Sequence, residues 1–197
     1  MKFDGNARYF ARAAIVAALV LAAALSRLVP HPPNFTPVSG MALFGGAVLG
    51  HWSSAVGIPL AAMAVSDAVL GYFVYGYGFF HGTMPFVYGS LIAIVFLGRV
   101  VCRKWSVLRI GAAAVASSVL FFLVTNFGVW LRGAMSGGGL YPATWEGLAA
   151  CYMAAIPFFG YTLAGDLFYT TLLFGAWALL GRKIAMARPV IEPVVRR

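Results

Sequence analysis

Acidic residues are scarce in this chain. Only five of its 197 residues are Asp or Glu, and charged residues of both signs make up 10%. A soluble domain carries roughly 25% charged residues, so this composition excludes a soluble globular fold. The chain is instead 62% hydrophobic, with a mean hydropathy of +0.89. Long apolar segments recur without the ten-residue alternation of a β-barrel, which predicts an all-α membrane protein.

Catalytic motifs are also missing. The chain contains no G-x-S-x-G, no H-E-x-x-H and no phosphate-binding loop, so we predict neither an enzyme nor an ATP-driven pump. No cofactor is expected. A metal site built from His31, His81 and Asp67 is an alternative, but no short His/Glu spacing favours it, and no metal is predicted. The two cysteines are too few for a disulfide framework.

The apolar segments predict one transmembrane domain over residues 1–197. Six helices are expected at about 9–29, 38–52, 54–75, 84–102, 108–131 and 157–181, with a surface helix at about 143–155. The second helix would rise only about 22 Å, less than the ~30 Å hydrocarbon core. We therefore expect it to be tilted, buried or incomplete.

The distribution of basic residues predicts that both termini are cytoplasmic. Twelve of the fourteen Lys and Arg residues fall in the N-terminal segment, the turn between the fourth and fifth helices, and the C-terminal tail. Arg27 and Arg132 remain for the outer face. Because the basic residues are not interleaved with aromatics, nucleic acid is not an expected partner, whereas membrane lipids are. The predicted location is the cell inner membrane.

Two of the few acids, Asp67 and Asp166, lie inside apolar segments, in the predicted outer third of the membrane. A charge in hydrocarbon costs several kcal/mol, so such a residue faces the bundle interior, pairs, or serves a binding site. Either acid is expected to anchor a ligand. The structural alternative is that it accepts hydrogen bonds from a helix terminus or pairs with Arg27 or Arg132.

The other candidate binding residues share a position near the outer end of the predicted bundle. The full predicted set is His31, Asn34, Phe35, Asp67, Tyr75, His81, Tyr88, Asn126, Trp130 and Asp166. We expect outer loops 30–37, 76–83 and 132–145 to roof the pocket. The prolines of the first loop would make it a stiff lid. Asn126 alternatively joins two helices by hydrogen bonds, and Tyr88 alternatively packs as a ring.

Four segments carry a family resemblance: "PHPPNFTPVSGMALFGGA", "PLAAMAVSDAVLGY", "MPFVYGS" and "YPATWEGLAACYMAAIPFFGYTLAGDLFYT". Over about residues 25–180 the chain resembles a family of small, mostly uncharacterised membrane proteins. That family is related to the substrate-binding S components of energy-coupling factor (ECF) vitamin transporters. The resemblance implies a six-helix fold that binds a vitamin-like compound near the outer surface, with cobalamin as one candidate. A cobalamin site would need His31 or His81 to ligate cobalt.

The same resemblance implies partners. S components dock on a transmembrane coupling subunit through an A-x-x-x-A ridge on their first helix, and two ATPases supply the energy. The ridge here would be Ala14, Ala18 and Ala22, whose spacing also suits generic helix packing. Two other hypotheses stay open. One is a solitary ion- or proton-coupled carrier that uses Asp67 and Asp166, and the other is a non-transport membrane scaffold.

Overall fold

The computed structural model describes residues 4–76, 78–102 and 104–186. These ranges contain helices and connecting turns but no strand, so the predicted all-α class is confirmed for them. The helices are α1 (Asp4–Leu25), α2 (Val38–Val48), α3 (Trp52–Val69), α4 (Met84–Val101), α5 (Val107–Ser136) and α6 (Trp145–Met186). A 3₁₀ turn (Ser26–Leu28) follows α1, and a π-helical turn (Leu70–Val74) extends α3.

Five of the described helical segments are long and apolar enough to cross a membrane. They are Tyr9–Leu28, Trp52–Val74, Met84–Val101, Val107–Ser136 and Trp145–Leu180. Each has at least 18 residues, close to the roughly 20 that a bilayer core requires. The chain therefore has the helices of a membrane protein. The sixth helix, α2, is apolar but has only 11 residues.

Helix α2 forms the centre of the bundle. All residues from Val38 to Gly46 are buried, and α2 packs against α3, α4, α5 and α6. It ends at Val48, four residues before the predicted end at residue 52. Because α2 is buried on all sides, its sequence has no polar face. Of the three expectations for this helix (tilted, buried or incomplete), the structure agrees with burial.

Glycines allow α2 to approach α4 closely. A Cβ atom on Gly46 would overlap the carbonyl oxygen of Val95, and a Cβ atom on Gly98 would overlap that of Leu43. The two helices thus exchange reciprocal glycine contacts, the small-residue packing that membrane helices use for tight association.

The prediction of a separate surface helix at 143–155 is wrong. The structure has one 42-residue helix, α6, that includes both this segment and the predicted sixth helix. Proline lacks an N–H and disfavours helix for the residue before it, so a break in the helix before Pro157 would be expected. The chain instead continues through Pro157, which lies inside the helix. Helix α5 also extends beyond its predicted end, to a left-handed Gly137 with φ 68°.

Candidate functional site

A cavity of about 630 Å³ lies at the end of the bundle where α1 and α3 end. Its walls come mainly from the segment after α1, the C-terminal part of α3, and loop 75–83. Five of the ten predicted binding residues line it: His31, Asn34, Asp67, Tyr75 and His81. Sequence reasoning therefore identified Asp67 and two of the loop segments that line this cavity, the one after α1 and the one before α4.

An ion pair forms part of the cavity wall. Arg27 Nη2 lies 2.8 Å from Asp67 Oδ1, and the two side chains are 12% and 9% exposed. Arg27 Nη1 also contacts Ser66 Oγ, and it lies 3.1 Å from Met63 Sδ. Of the two arginines considered as partners for Asp67, the structure selects Arg27.

Tyr88 provides a further hydrogen-bond donor to Asp67. Its hydroxyl donates a 3.0 Å hydrogen bond to Asp67 Oδ2, so each carboxylate oxygen has a donor. Tyr88 does not line the main cavity, contrary to its prediction as a binding residue, and acts here through Asp67. The wall is consequently polar but carries no net charge at this point.

The proline-rich loop that covers the cavity is held by its own turns. Phe35 N–H donates to Pro32 O at 3.1 Å, and Thr36 N–H donates to Asn34 O at 3.0 Å. Asn34 has φ 64°, a left-handed conformation that Asn adopts more readily than most residues. His31 Nδ1 lies 2.7 Å from Val29 O, which fixes the ring over the loop. Because each proline also fixes its φ angle, the loop is stiff in both backbone and side chain.

His81 lines two cavities. Besides the main cavity, it borders a more apolar one of about 420 Å³, together with Phe79, Phe80, Gly82, Met84, Pro85, Tyr88 and Arg132. His81 Nδ1 lies 3.1 Å from Thr83 Oγ1. The Arg132 guanidinium lies against Gly82, where any side chain would overlap it. These contacts join loop 75–83 to the C-terminal end of α5.

Besides Tyr88 and Asp166, three more predicted binding residues lie outside the main cavity. Phe35 packs against Phe168 and Tyr169 on α6. Asn126 Nδ2 donates to Phe122 O at 2.8 Å within its own helix, so it neither binds the cavity nor joins two helices through its amide nitrogen. Trp130 Nε1 donates to Pro142 O at 3.0 Å.

The contact between Trp130 and Pro142 shows that the segment after α5 does not have its predicted place over the cavity. The segment 137–144 folds back on the C-terminal end of α5, and Gly139 packs directly on Gly133. None of residues 132–145 lines the main cavity, so the expected third part of the roof is wrong. The glycine-rich composition of this segment serves a tight backbone contact, which sequence alone does not separate from a binding loop.

Asp166 is buried away from the cavity wall. It is 1% exposed, and its Oδ2 lies 2.7 Å from Ser118 Oγ. The side chain of Ser39, a residue that lines the cavity, lies beside the same carboxyl group. No cation pairs with Asp166 among the described residues. The two intramembrane acids, which looked alike in sequence, thus have different environments.

Serine and threonine side chains were missed by sequence reasoning. Ser66 contacts Arg27, Ser118 contacts Asp166, and Ser39 and Thr170 are buried nearby. Small hydroxyl residues are common in membrane helices because they allow close packing, so they give no distinct signal. Their proximity to an intramembrane acid appears only in the folded chain.

The described residues contain no cluster of three or more His, Cys, Asp or Glu side chains that could hold a metal ion. His31, His81 and Asp67 do line the same cavity. The Asp67 carboxylate, however, is occupied by Arg27 and Tyr88. This geometry gives no support to the alternative metal site.

The predicted docking ridge lies on the outer surface of the chain. Ala14, Ala18 and Ala22 are all exposed, whereas Val16 and Val20 on the other side of α1 are fully buried. The ridge is therefore not used for packing within this chain.

Comparison with known proteins gives a family but no activity. No curated protein and no solved structure matches the chain. Residues 8–190 match the profile described as a family of unknown function, DUF6580. Since this match covers most of the 197 residues, the chain belongs to that family.

Proposed function

We propose that this protein is a membrane-embedded substrate-binding subunit for uptake of a small, vitamin-like nutrient, similar to the S component of an ECF transporter. The main cavity carries the proposal. It lies under the proline-rich loop and is lined by histidine, asparagine, tyrosine and an ion pair. Its volume of about 630 Å³ lies within the roughly 300–1,000 Å³ of small-molecule sites.

The chemistry of the lining favours an uncharged or internally neutral ligand. The cavity's Arg27 and Asp67 neutralise each other, so neither is a free anchor for an ion of opposite charge. Asn34 and Thr36 supply groups that can both donate and accept hydrogen bonds, and Tyr75 supplies an aromatic ring. For a metal-centred ligand such as cobalamin, His31 and His81 are the lining residues of suitable chemistry.

In the proposed assembly, six helices form the bundle and both termini lie in the cytoplasm of the cell inner membrane. The short α2 returns the chain from the cavity end to the opposite end. The exposed ridge of Ala14, Ala18 and Ala22 docks on a transmembrane coupling subunit, and separate ATPases supply energy. Small residues let two helix backbones approach closely, which suits such a contact within lipid.

The experiment that tests this proposal is native mass spectrometry of the protein purified gently from its own membranes. We expect a retained small molecule on the wild-type chain and its loss from His81→Ala. The matched control is His51→Ala, because His51 is an exposed residue before α3, at the opposite end of the bundle. A ligand-free wild-type protein, or equal retention by both variants, would contradict the proposed site.

A second candidate function is a solitary ion- or proton-coupled carrier. The observation that favours it is Asp166, a buried acid without a cationic partner among the described residues. Asp67, the other acid assigned to this function, is already paired. Uptake that stops with an uncoupler but continues without any ATPase would favour the carrier.

Under the scaffold hypothesis, Asp67→Asn and Asp166→Asn should reduce folding or assembly with no ligand-specific effect.

A further inference from the structure

The cavity of about 420 Å³ beside loop 75–83, here called the second cavity, combines an apolar wall with one permanently charged side chain. Phe79, Phe80 and Pro85 belong to the apolar wall, and the rings of Phe79 and Phe80 meet edge to face with centroids 4.8 Å apart. Phe80 is 83% exposed, so the wall is open to the surroundings of the chain. The charged residue is Arg132, near the C-terminal end of α5.

The charge of Arg132 is not balanced within the chain. None of the acids whose side chains the structure describes forms an ion pair with it. Each of these acids has another partner: Arg27 for Asp67, Ser118 for Asp166 and Thr144 for Glu146. Arg132 is exposed, so an anion from outside the chain can reach its guanidinium.

The guanidinium of Arg132 is held beside the apolar wall. It lies against the backbone of Gly82, so close that a Cβ atom on Gly82 would overlap it. An arginine at a membrane surface normally extends its charged head toward water, away from apolar neighbours. A charge kept next to phenyl rings binds an anion more strongly than it would in bulk water. This position therefore suits an anion that approaches along the apolar wall.

The second cavity lies where two candidate membrane spans end. The span Met84–Val101 begins beside it, and the span Val107–Ser136 ends beside it. Both spans are long and apolar enough to cross a bilayer, so their ends lie at the level of the lipid headgroups. A molecule in this cavity consequently has headgroups on one side and hydrocarbon on the other.

We propose that the second cavity binds one anionic phospholipid of the phosphatidylglycerol type. Its phosphate contacts Arg132, and the first part of an acyl chain packs on Phe79, Phe80 and Pro85. A guanidinium donates paired hydrogen bonds that match the geometry of phosphate oxygens. The described lining includes no acid that could receive the ammonium group of a zwitterionic headgroup, so a net negative headgroup is favoured.

A free phosphate ion is the competing occupant. It would use the charge of Arg132 but leave the apolar wall uncovered. Covering apolar surface contributes about 25 cal/mol per Å², and only a ligand with an apolar tail gains this term. The combination of one cation with exposed phenyl rings therefore favours the lipid over the free ion.

The bound lipid would touch the partition between the two cavities. His81 lines both of them, and Tyr88, which lines the second, donates a hydrogen bond to Asp67 of the main cavity. The lipid thus supports loop 75–83 from outside and does not occupy the main cavity.

The test titrates the delipidated full-length protein, in a neutral detergent, with phosphatidylglycerol and with phosphatidylcholine of the same acyl chains. Native mass spectrometry counts the lipids retained on each chain. We expect one phosphatidylglycerol per chain, with an apparent Kd about tenfold below that for phosphatidylcholine. Arg132→Gln should remove this difference between the two lipids.

Gly82→Ala tests the position of the charge, because the new Cβ atom displaces the guanidinium and keeps its charge. The displaced group is the flexible end of a side chain, so the fold should persist. We expect the Kd for phosphatidylglycerol to rise about tenfold. Two matched controls should bind as the wild type does. Arg109→Gln removes an exposed arginine at the other end of α5, and Gly89→Ala adds a Cβ atom that meets nothing within 4 Å.

Several results would overturn the lipid site. One is equal affinity for the two lipids. Another is a loss in Arg109→Gln as large as that in Arg132→Gln, which would indicate attraction of lipid to any basic residue. Wild-type affinity in Gly82→Ala would show that the position of the guanidinium is unimportant. Inorganic phosphate that binds as tightly as phosphatidylglycerol would assign a free anion instead. If Arg132→Gln fails to fold, Gly82→Ala decides the question. The lipid site involves no nutrient, so its failure leaves the proposed function untouched.

Discussion

The Arg27–Asp67 ion pair determines the charge of the cavity wall at the scale of single residues. Each partner is largely buried, and each has further contacts, Ser66 for Arg27 and Tyr88 for Asp67. Removing one partner leaves the other charge buried and uncompensated, which costs more than the net stabilisation of the pair.

We therefore expect Arg27→Gln and Asp67→Asn each to lower the free energy of unfolding by about 3 kcal/mol. The Arg27→Gln/Asp67→Asn double variant should lose less than the sum of the two, by about 1 kcal/mol or more. Chemical denaturation in detergent measures these values. Arg109→Gln is the control, because Arg109 is exposed. If each single variant lowered the free energy of unfolding no more than this control does, the ion pair would not stabilise the fold.

Sequence reasoning located Asp67 but did not assign its partner, because a helical pattern gives the depth of a residue and not its rotation about the helix axis. It offered Arg27 and Arg132 as equivalent. Only the folded chain brings the turn after α1 next to the last turn of α3. The same limitation applies to Asn126, whose amide bonds to its own helix although its depth is similar.

At the scale of the elements, α2 and α4 depend on two glycines for their close contact. Gly46 faces the Val95 carbonyl, and Gly98 faces the Leu43 carbonyl, with no space for a Cβ atom on either. The obstacle in each case is backbone, which cannot move aside as a flexible side chain does.

Gly46→Ala and Gly98→Ala are expected to destabilise the protein by about 3 kcal/mol or more, because the two helices must separate. Gly89→Ala on the same α4 is the matched control, since a Cβ atom there meets nothing within 4 Å. The control should be neutral or slightly stabilising through its higher helix propensity. Unfolding midpoints by intrinsic fluorescence distinguish these outcomes. Equal midpoints for all three variants would contradict the close contact.

The proline-rich loop allows a prediction about binding. Replacing Pro32 and Pro33 by Gly should increase the flexibility of the free loop; it also removes the Pro33 ring from the cavity lining but keeps the other lining residues. Each change costs about 0.4–1 kcal/mol of ordering, so we expect the retained ligand to dissociate several-fold faster. Native mass spectrometry of samples taken during dialysis measures the loss. Dissociation at the wild-type rate would reject the stiff lid.

The N-terminal boundary of helix α6 was not predicted correctly from the sequence. Two separate helices were predicted at about 143–155 and 157–181, yet α6 continues from Trp145 to Met186 through Pro157. Local preference disfavours helix before proline, but packing of α6 along α5 and α2 outweighs it. Predictions for α1, α3 and α4 were close because each has a long apolar segment bounded by charged or loop-forming residues.

At the scale of the whole molecule, the basic residues predict the orientation of the bundle. A green fluorescent protein fused to the C-terminus should fluoresce, because it folds in the cytoplasm, and an alkaline phosphatase fused there should be inactive. A phosphatase inserted at Gly138 should be active, since segment 137–144 is predicted to face outward. Reversed activities would invert the topology and place the main cavity toward the cytoplasm.

Because the face of α1 that carries the alanine ridge is exposed, we expect that a substitution on it can abolish uptake without affecting ligand binding. Ala18→Trp should leave the fold and the retained ligand unchanged but abolish cellular uptake, because a large side chain prevents close docking of a coupling subunit. Ala61→Trp, at an exposed position on α3, is the matched control and should retain uptake. Normal uptake by Ala18→Trp would exclude the ridge as a docking surface.

The short central helix also has a consequence for how the protein is made. Eleven residues rise about 16 Å, too little to insert into a bilayer as an independent span. The carbonyl groups that follow it, on Leu49 and Gly50, accept hydrogen bonds from the Arg99 side chain of α4. Exposed backbone is not tolerated in lipid. We therefore expect α2 to reach its final position during biogenesis only after α4, and with it about half of the chain, has been synthesised.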